Sequence, residues 1–172
     1  MRLRVAMVLV FSACAFAATA QEVAYARNDA GVVTNSVNKE TENFILTSAV
    51  ARLIGAEEGR LAAEKGTTRE MRAYGVLVVK DQKRLLGELK RLAVLKNLTI
   101  PEDINETELA GKSGRRFNVA FLKTMTAELE RDRELFREAA MSADPDVAAF
   151  AVRYLPLIES HLKKIRSIRK GW

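Results

Sequence analysis

The sequence predicts an all-α protein folded as an up-down-up-down four-helix bundle. Apolar residues recur at spacings of three and four through four segments of about 25 residues. Turn and cap residues separate those segments at Gly66, Asn97, Ser113-Gly114 and Asp144-Pro145. No stretch of useful length alternates apolar and polar residues as a half-buried strand would.

Ahead of the helices, residues 1–20 read as a secretory signal. Arg2 and Arg4 make a positive start, Val5 to Ala18 an apolar stretch, and Ala18-Thr19-Ala20 a small-x-small cleavage site. The apolar stretch is shorter than the roughly 20 residues of a membrane span. A competing reading is a lipoprotein signal at Phe11-Ser12-Ala13-Cys14, with Phe where Leu is usual. The apolar residues that follow Cys14 suit a continuing signal better. Cleavage after Ala20 leaves 152 residues (172 less 20) without the single cysteine, so disulfides, thiolate chemistry and cysteine-bound zinc drop out together. The expected location is periplasmic or secreted. Without Arg2 and Arg4, the 28 Lys+Arg become 26 against 22 Asp+Glu, a mildly basic chain. A nucleic-acid binder would carry a denser basic patch with interleaved aromatics, and only 6% of this chain is aromatic.

Residues 21–39 are polar and aperiodic, a flexible leader before a bundle domain over 40–170. The first helix is expected from Thr41 to Lys65, with Phe44, Ala51, Ile54, Glu58 and Leu61 on one stripe widened by Leu46, Val50 and Leu53. Gly66 should stop it in a left-handed conformation. Thr67 with Glu70 reads as a capping box for the second helix. That helix carries Met71, Tyr74, Val78, Gln82, Leu85, Leu89 and Leu92 inward and ends near Asn97. Leu98 to Ser113 is the one long connection, with a helical turn expected around Glu106 to Ala110.

The third helix follows Ser113-Gly114 and faces inward with Phe117, Phe121, Met125, Leu129, Asp132, Phe136 and Ala139. Asp144-Pro145-Asp146 starts the fourth, since Asp caps well and Pro suits the first helical position. Its seam is Val147, Ala151, Tyr154, Ile158, His161, Ile165 and Ile168. Pro156 should kink it before His161, opening a pocket or fitting the helix around its neighbours. Asn97 and Asn105 head Asn-x-Thr sequons and otherwise read as turn and cap residues. Two short turns and one longer link make up-down-up-down the economical connection.

Arg60-Leu61-Ala62-Ala63-Glu64-Lys65, Val79-Lys80-Asp81 and Leu155-Pro156-Leu157-Ile158-Glu159-Ser160-His161-Leu162 together give a resemblance over about Phe44 to Ile168. The chain resembles the exported bacterial ferritin-like family, Domain of Unknown Function 4142. The resemblance implies a ferritin-like bundle. It also implies an Asp-His pair in the second helix, another in the third, and a His after the Pro of the fourth. Here those positions read Asp81-Gln82, Glu128-Leu129 and His161, and an acidic position of the first helix falls at Gly55.

A di-iron bundle takes a Glu from each of two helices and a Glu-x-x-His from each of the other two. One histidine, with Ile158 three residues before it, cannot supply that set. A single Fe, Mn or Zn ion could instead use His161 with Glu58, Glu128 and Asp132. The plainer alternative leaves Glu58 and Glu128 reaching solvent, pairs Asp132 with a nearby Arg, and makes His161 a hydrogen-bonded core residue. No cofactor is expected on that alternative. No nucleophile constellation or Gly-rich phosphate loop is present.

The basic end from Lys163 to Trp172 complements the negative end of the fourth helix, or touches anionic lipid, with Lys80, Lys83, Arg84 and Arg91 as a basic stripe on the second. The expected role is a non-catalytic structural or interaction module of the cell envelope, partnered by another envelope protein or by itself. Two alternatives stand beside it, a mononuclear metal protein and a peripheral protein with a membrane-facing tip.

Overall fold

The computed structural model describes residues 38–103 and 107–172. The expected signal with Cys14, the leader as far as residue 37, the expected turn or cap residue Asn105, and Glu106 at the start of the expected helical turn lie outside them. Four helices form the described chain: α1 Lys39–Lys65, α2 Arg69–Leu95, α3 Gly114–Ala139 and α4 Pro145–Lys170.

Local chemistry places each helix end. Asn38 caps α1 by accepting the Glu40 N–H at 3.1 Å, slightly ahead of the expected start. Thr68, not Thr67, caps α2 by accepting the Met71 N–H at 3.1 Å. Thr67 is drawn to α3 instead: its N–H donates to Asn118 Oδ1 at 3.3 Å, and its hydroxyl accepts from Asn118 Nδ2 at 2.5 Å. Gly66 has φ −58°, so the expected left-handed stop is absent there. Space demands glycine at that point, because a Cβ would stand 2.5 Å from Ala62 O.

The left-handed cap belongs to Asn97, at φ 55°. The Leu98 N–H reaches Ala93 O at 2.9 Å and the Asn97 N–H reaches Val94 O at 3.1 Å, which ends α2 as a Schellman motif. Asp144 caps α4 through the N–H groups of Asp146 and Val147, at 3.0 and 3.4 Å. Helix α4 continues through Pro156; the Val152 carbonyl that loses its donor belongs to an exposed residue.

The four-helix class is as expected, but the chain directions are not. The Thr67–Asn118 pair joins the start of α2 to the start of α3, and Lys65 donates to Ala110 O at 2.5 Å just before α3. At the opposite end Lys96, beyond α2, lies 2.7 Å from Asp144 and 2.8 Å from Asp146 at the start of α4. Helices α2 and α3 therefore run parallel, and the order is up-down-down-up. Each of α1 and α4 packs beside α2 and α3.

Chain reach explains the difference. The 26 residues of α3 rise about 39 Å, and the 96–113 connection can extend about 60 Å, enough to cross the whole bundle. One long crossover is the connection found in ferritin-like folds.

The expected inner faces of α2 and α3 are buried throughout, and that of α4 is buried except for half-buried Tyr154. Helix α1 departs from expectation. Ala51, Ile54, Leu46, Val50 and Leu53 are only half-buried, whereas Ile45, Ser48, Ala49, Arg52, Gly55, Gly59 and Ala62 face inward with Phe44, Glu58 and Leu61. That face is small and polar because α2 comes very close. A Cβ on Gly75 would stand 2.4 Å from Ala63 N and 2.6 Å from Gly59 O.

Two aromatic groups bracket the middle of the core. Phe44 contacts Phe136 and Phe150 edge-on, at 5.3 and 6.1 Å, toward one end. Tyr74 and Phe117 flank Phe121, at 6.2 and 6.0 Å, toward the other.

The close approach of α1 and α2 sets a paired prediction. Gly75→Ala should destabilise the protein by about 1–3 kcal/mol, because the atoms its methyl would meet are backbone and cannot rotate away. Gly87→Ala in the same helix meets nothing within 4 Å and should stabilise by about 0.5–1 kcal/mol. Urea unfolding followed by circular dichroism measures both, and equal effects would contradict the close crossing.

Candidate functional site in the polar layer

Between the aromatic groups the core turns polar. Arg52 of α1, 1% exposed, points its guanidinium at the carboxylate of Asp132 on α3, 6% exposed, and the two form a buried ion pair. The guanidinium carbon also lies 5.9 Å from the Phe136 ring centroid, on the apolar side of the layer. Arginine stays charged at any ordinary pH, so the bundle interior holds a fixed cation. Arg52 Nε has no partner among the described residues.

A second pair joins α2 to α4. His161 Nε2 and Asp81 Oδ2 are 3.1 Å apart, and Arg84 approaches the other Asp81 oxygen at 3.5 Å. The Tyr74 hydroxyl donates to the backbone carbonyl of His161 at 3.4 Å, and the two rings lie 5.8 Å apart. Burial pushes the imidazole pKa below its usual 6.5, and the Asp81 carboxylate only partly offsets that. The neutral ring therefore donates its Nε2–H to Asp81.

Glu58 of α1 and Glu128 of α3 form the third pairing. Burial is the first cause of a raised pKa in both, and Glu58 is pushed up to about 9. Glu58 is 2% exposed, and its Oε2 has no donor among the described residues. Two carboxylates cannot bond each other, whereas a carboxylic acid can donate to a carboxylate. At neutral pH Glu58 therefore keeps its proton, and the acid can donate it to Glu128.

Gln82 completes the layer. Its amide lies over Gly55, where a Cβ would stand 2.8 Å from Nε2. The position that reads as an acid and the position that reads as a histidine in the resembled family are thus one space here, filled by one amide.

The four candidate ligands lie within about two helical turns of one another, but in three separate pairings: Glu58 with Glu128, Asp132 with Arg52, and His161 with Asp81. Among the described residues no three His, Cys, Asp or Glu side chains converge as a ligand set for an ion. The plainer alternative matches the geometry at Asp132, paired with Arg52, and at His161, a buried residue bonded to Asp81, but not at Glu58, which is buried; Glu128 is half-buried. Arg52 was not visible in the apolar stripe of α1. Its signal lay in Asp132, an acid inside an apolar seam that requires a buried cation opposite. A cleft of about 500 Å³ lined by Asn43, Phe44, Leu135 and Val147 lies at the aromatic end, away from these groups.

Arg52→Ala should cost about 3–5 kcal/mol by stranding Asp132, whereas Arg52→Met with Asp132→Leu should restore most of that loss. A double-mutant cycle in urea measures the coupling, and additive single effects would contradict a direct pair.

The shared proton makes a pH prediction. The folded pKa of Glu58 lies above its ordinary 4.5, so the native state binds more protons between 4.5 and about 9. Stability must fall as pH rises through that window, by at most about 1.4 kcal/mol per pH unit for one proton. His161 acts oppositely, losing stability as pH drops below 6.5. Urea midpoints should therefore decline from about pH 7 to about pH 9, and Glu58→Gln should flatten that decline. A wild-type midpoint that stays level would contradict the shared proton.

No curated protein matches the chain. Among solved structures, CopM in the Cu(I)-bound form aligns with a TM-score of 0.66 at 14% identity, covering 77% of this chain and 96% of that one. At that identity the likeness is one of fold. The family described as Domain of unknown function (DUF4142) matches residues 26–168, and the chain belongs to it.

Proposed function

We propose that this protein is an exported, non-catalytic module of the cell envelope, a ferritin-like bundle whose central layer is held by side-chain pairs instead of a metal. The observation that carries the reading is the buried Arg52–Asp132 pair. A fixed guanidinium at mid-bundle repels a divalent cation and occupies a carboxylate that would otherwise be free to bind one. His161 is engaged by Asp81, and the Glu58–Glu128 pair holds a proton where a cation would have to displace it. Export rests on Arg2, Arg4, the apolar stretch to Ala18 and the Ala18-Thr19-Ala20 site. The role is then one of shape, and the partner is an envelope protein or a second copy of the chain.

A second reading is a mononuclear metal protein using His161 with Glu58, Glu128 and Asp132. It draws support from those groups lying near one another in the core and from the copper named for CopM. That reading requires Arg52 to leave Asp132 and the glutamate pair to lose its proton. Metal analysis of protein purified from the periplasm separates the two. The proposal expects iron, manganese, zinc and copper far below one per chain, unchanged in His161→Ala. Stoichiometric metal that disappears in His161→Ala would overturn it in favour of the second reading.

A further inference from the structure

The crossover that makes α2 and α3 parallel also gathers charge at one end of the bundle. In an up-down-up-down order the start of α2 would lie at the opposite end of the bundle from the start of α3 and the end of α4. Here the start of α2, the start of α3 and the end of α4 share one pole, as the Thr67–Asn118 and Lys164–Glu70 contacts fix. That pole brings together Arg69 and Arg72 from α2, Arg115 and Arg116 from α3, and Arg169 and Lys170 from α4, all exposed. The ion pairs found nearby among the described residues involve Arg60, Lys164 and Arg166, not these six. The opposite pole carries Glu40, Glu138, Asp144 and Asp146, with Lys96 bridging the last two. Charge is therefore polarised along the bundle axis, although the net balance of the chain is modest.

Trp172 stands at the basic pole. Its backbone N–H donates to Arg169 O at 3.3 Å, and the residue is 43% exposed. An indole at the edge of a cationic surface matches the chemistry of a bilayer interface, where the ring lies among headgroups and the cations meet phosphates. A protein partner of acidic charge would satisfy the cations equally, but it would not by itself call for an exposed indole beside them. We infer that the pole formed by the starts of α2 and α3 and the end of α4 docks end-on to an anionic lipid surface. This inference goes beyond the proposed function and holds whether or not a metal binds in the polar layer.

Trp172 is the single tryptophan, so its emission reports on this pole directly. The purified protein is titrated with phosphatidylcholine vesicles, with and without phosphatidylglycerol, at ~0.02 M and ~0.5 M salt. A blue shift confined to phosphatidylglycerol vesicles at low salt is expected, with co-sedimentation following it. Arg115→Glu with Arg116→Glu should weaken this binding roughly tenfold or more. These acids would fall in the first turn of α3, where the helix dipole favours them, so the fold is retained. Lys39→Glu with Lys90→Glu makes the same charge change elsewhere and should leave the binding unchanged.

Three results would overturn the inference: no shift at low salt, a shift equal on neutral vesicles, or equal loss in the two charge-reversed variants. The first would leave an acidic protein as the partner that fits the pole.

Discussion

A guanidinium and a carboxylate face each other near the middle of this bundle, shut off from water, and the rest of the interior is arranged to permit it. Desolvating the two ions costs several kcal/mol each, and their attraction offsets that only with good geometry. Arg52 and Asp132 obtain that geometry from α1 and α3, which run antiparallel and adjacent. The Phe136 ring lies on one side and the Glu58–Glu128 proton pair one to two turns away on the other. Slipping α1 against α3 by one turn would strand both ions, so the pair specifies register more than it adds stability.

The glycine crossing makes this possible. Gly59 and Gly75 bring α1 and α2 backbone to backbone, and Gln82 then lies across Gly55 in the same layer. Four buried polar atoms among the described residues have no partner: Ser48 Oγ, Arg52 Nε, Glu58 Oε2 and Gln82 Oε1. Glu58 is accounted for by a shared proton. The others border a polar layer that apolar residues of similar size would have filled more simply.

Three of the four helices were legible because their buried faces are apolar at helical spacing, and Met71 through Leu92 and Phe117 through Ala139 fell where periodicity put them. Helix α1 was not, because its inward face is Ser48, Arg52, Gly55 and Gly59, while its more apolar stripe at Leu46, Val50 and Ile54 is half-exposed. Hydrophobicity locates a seam only where burial is apolar. Capping was misplaced by one residue for a similar reason, since Thr67 and Thr68 are equivalent as caps until Asn118 of α3 takes one of them. The chain directions rested on economy of connection, and economy fails once a linker is long enough to cross the bundle. The candidate residues lie near one another in the core, yet their partners Arg52 and Asp81, which periodicity did not mark, decide what those residues can do.

On the proposed function, a fixed cation rather than a bound ion organises the middle of this bundle. Anomalous diffraction from crystals grown with excess manganese, iron or copper tests it most directly. No anomalous peak is expected within about 2.5 Å of Glu58, Glu128, Asp132 or His161, with Arg52 still against Asp132. A peak coordinated by those side chains, with Arg52 swung away, would contradict it.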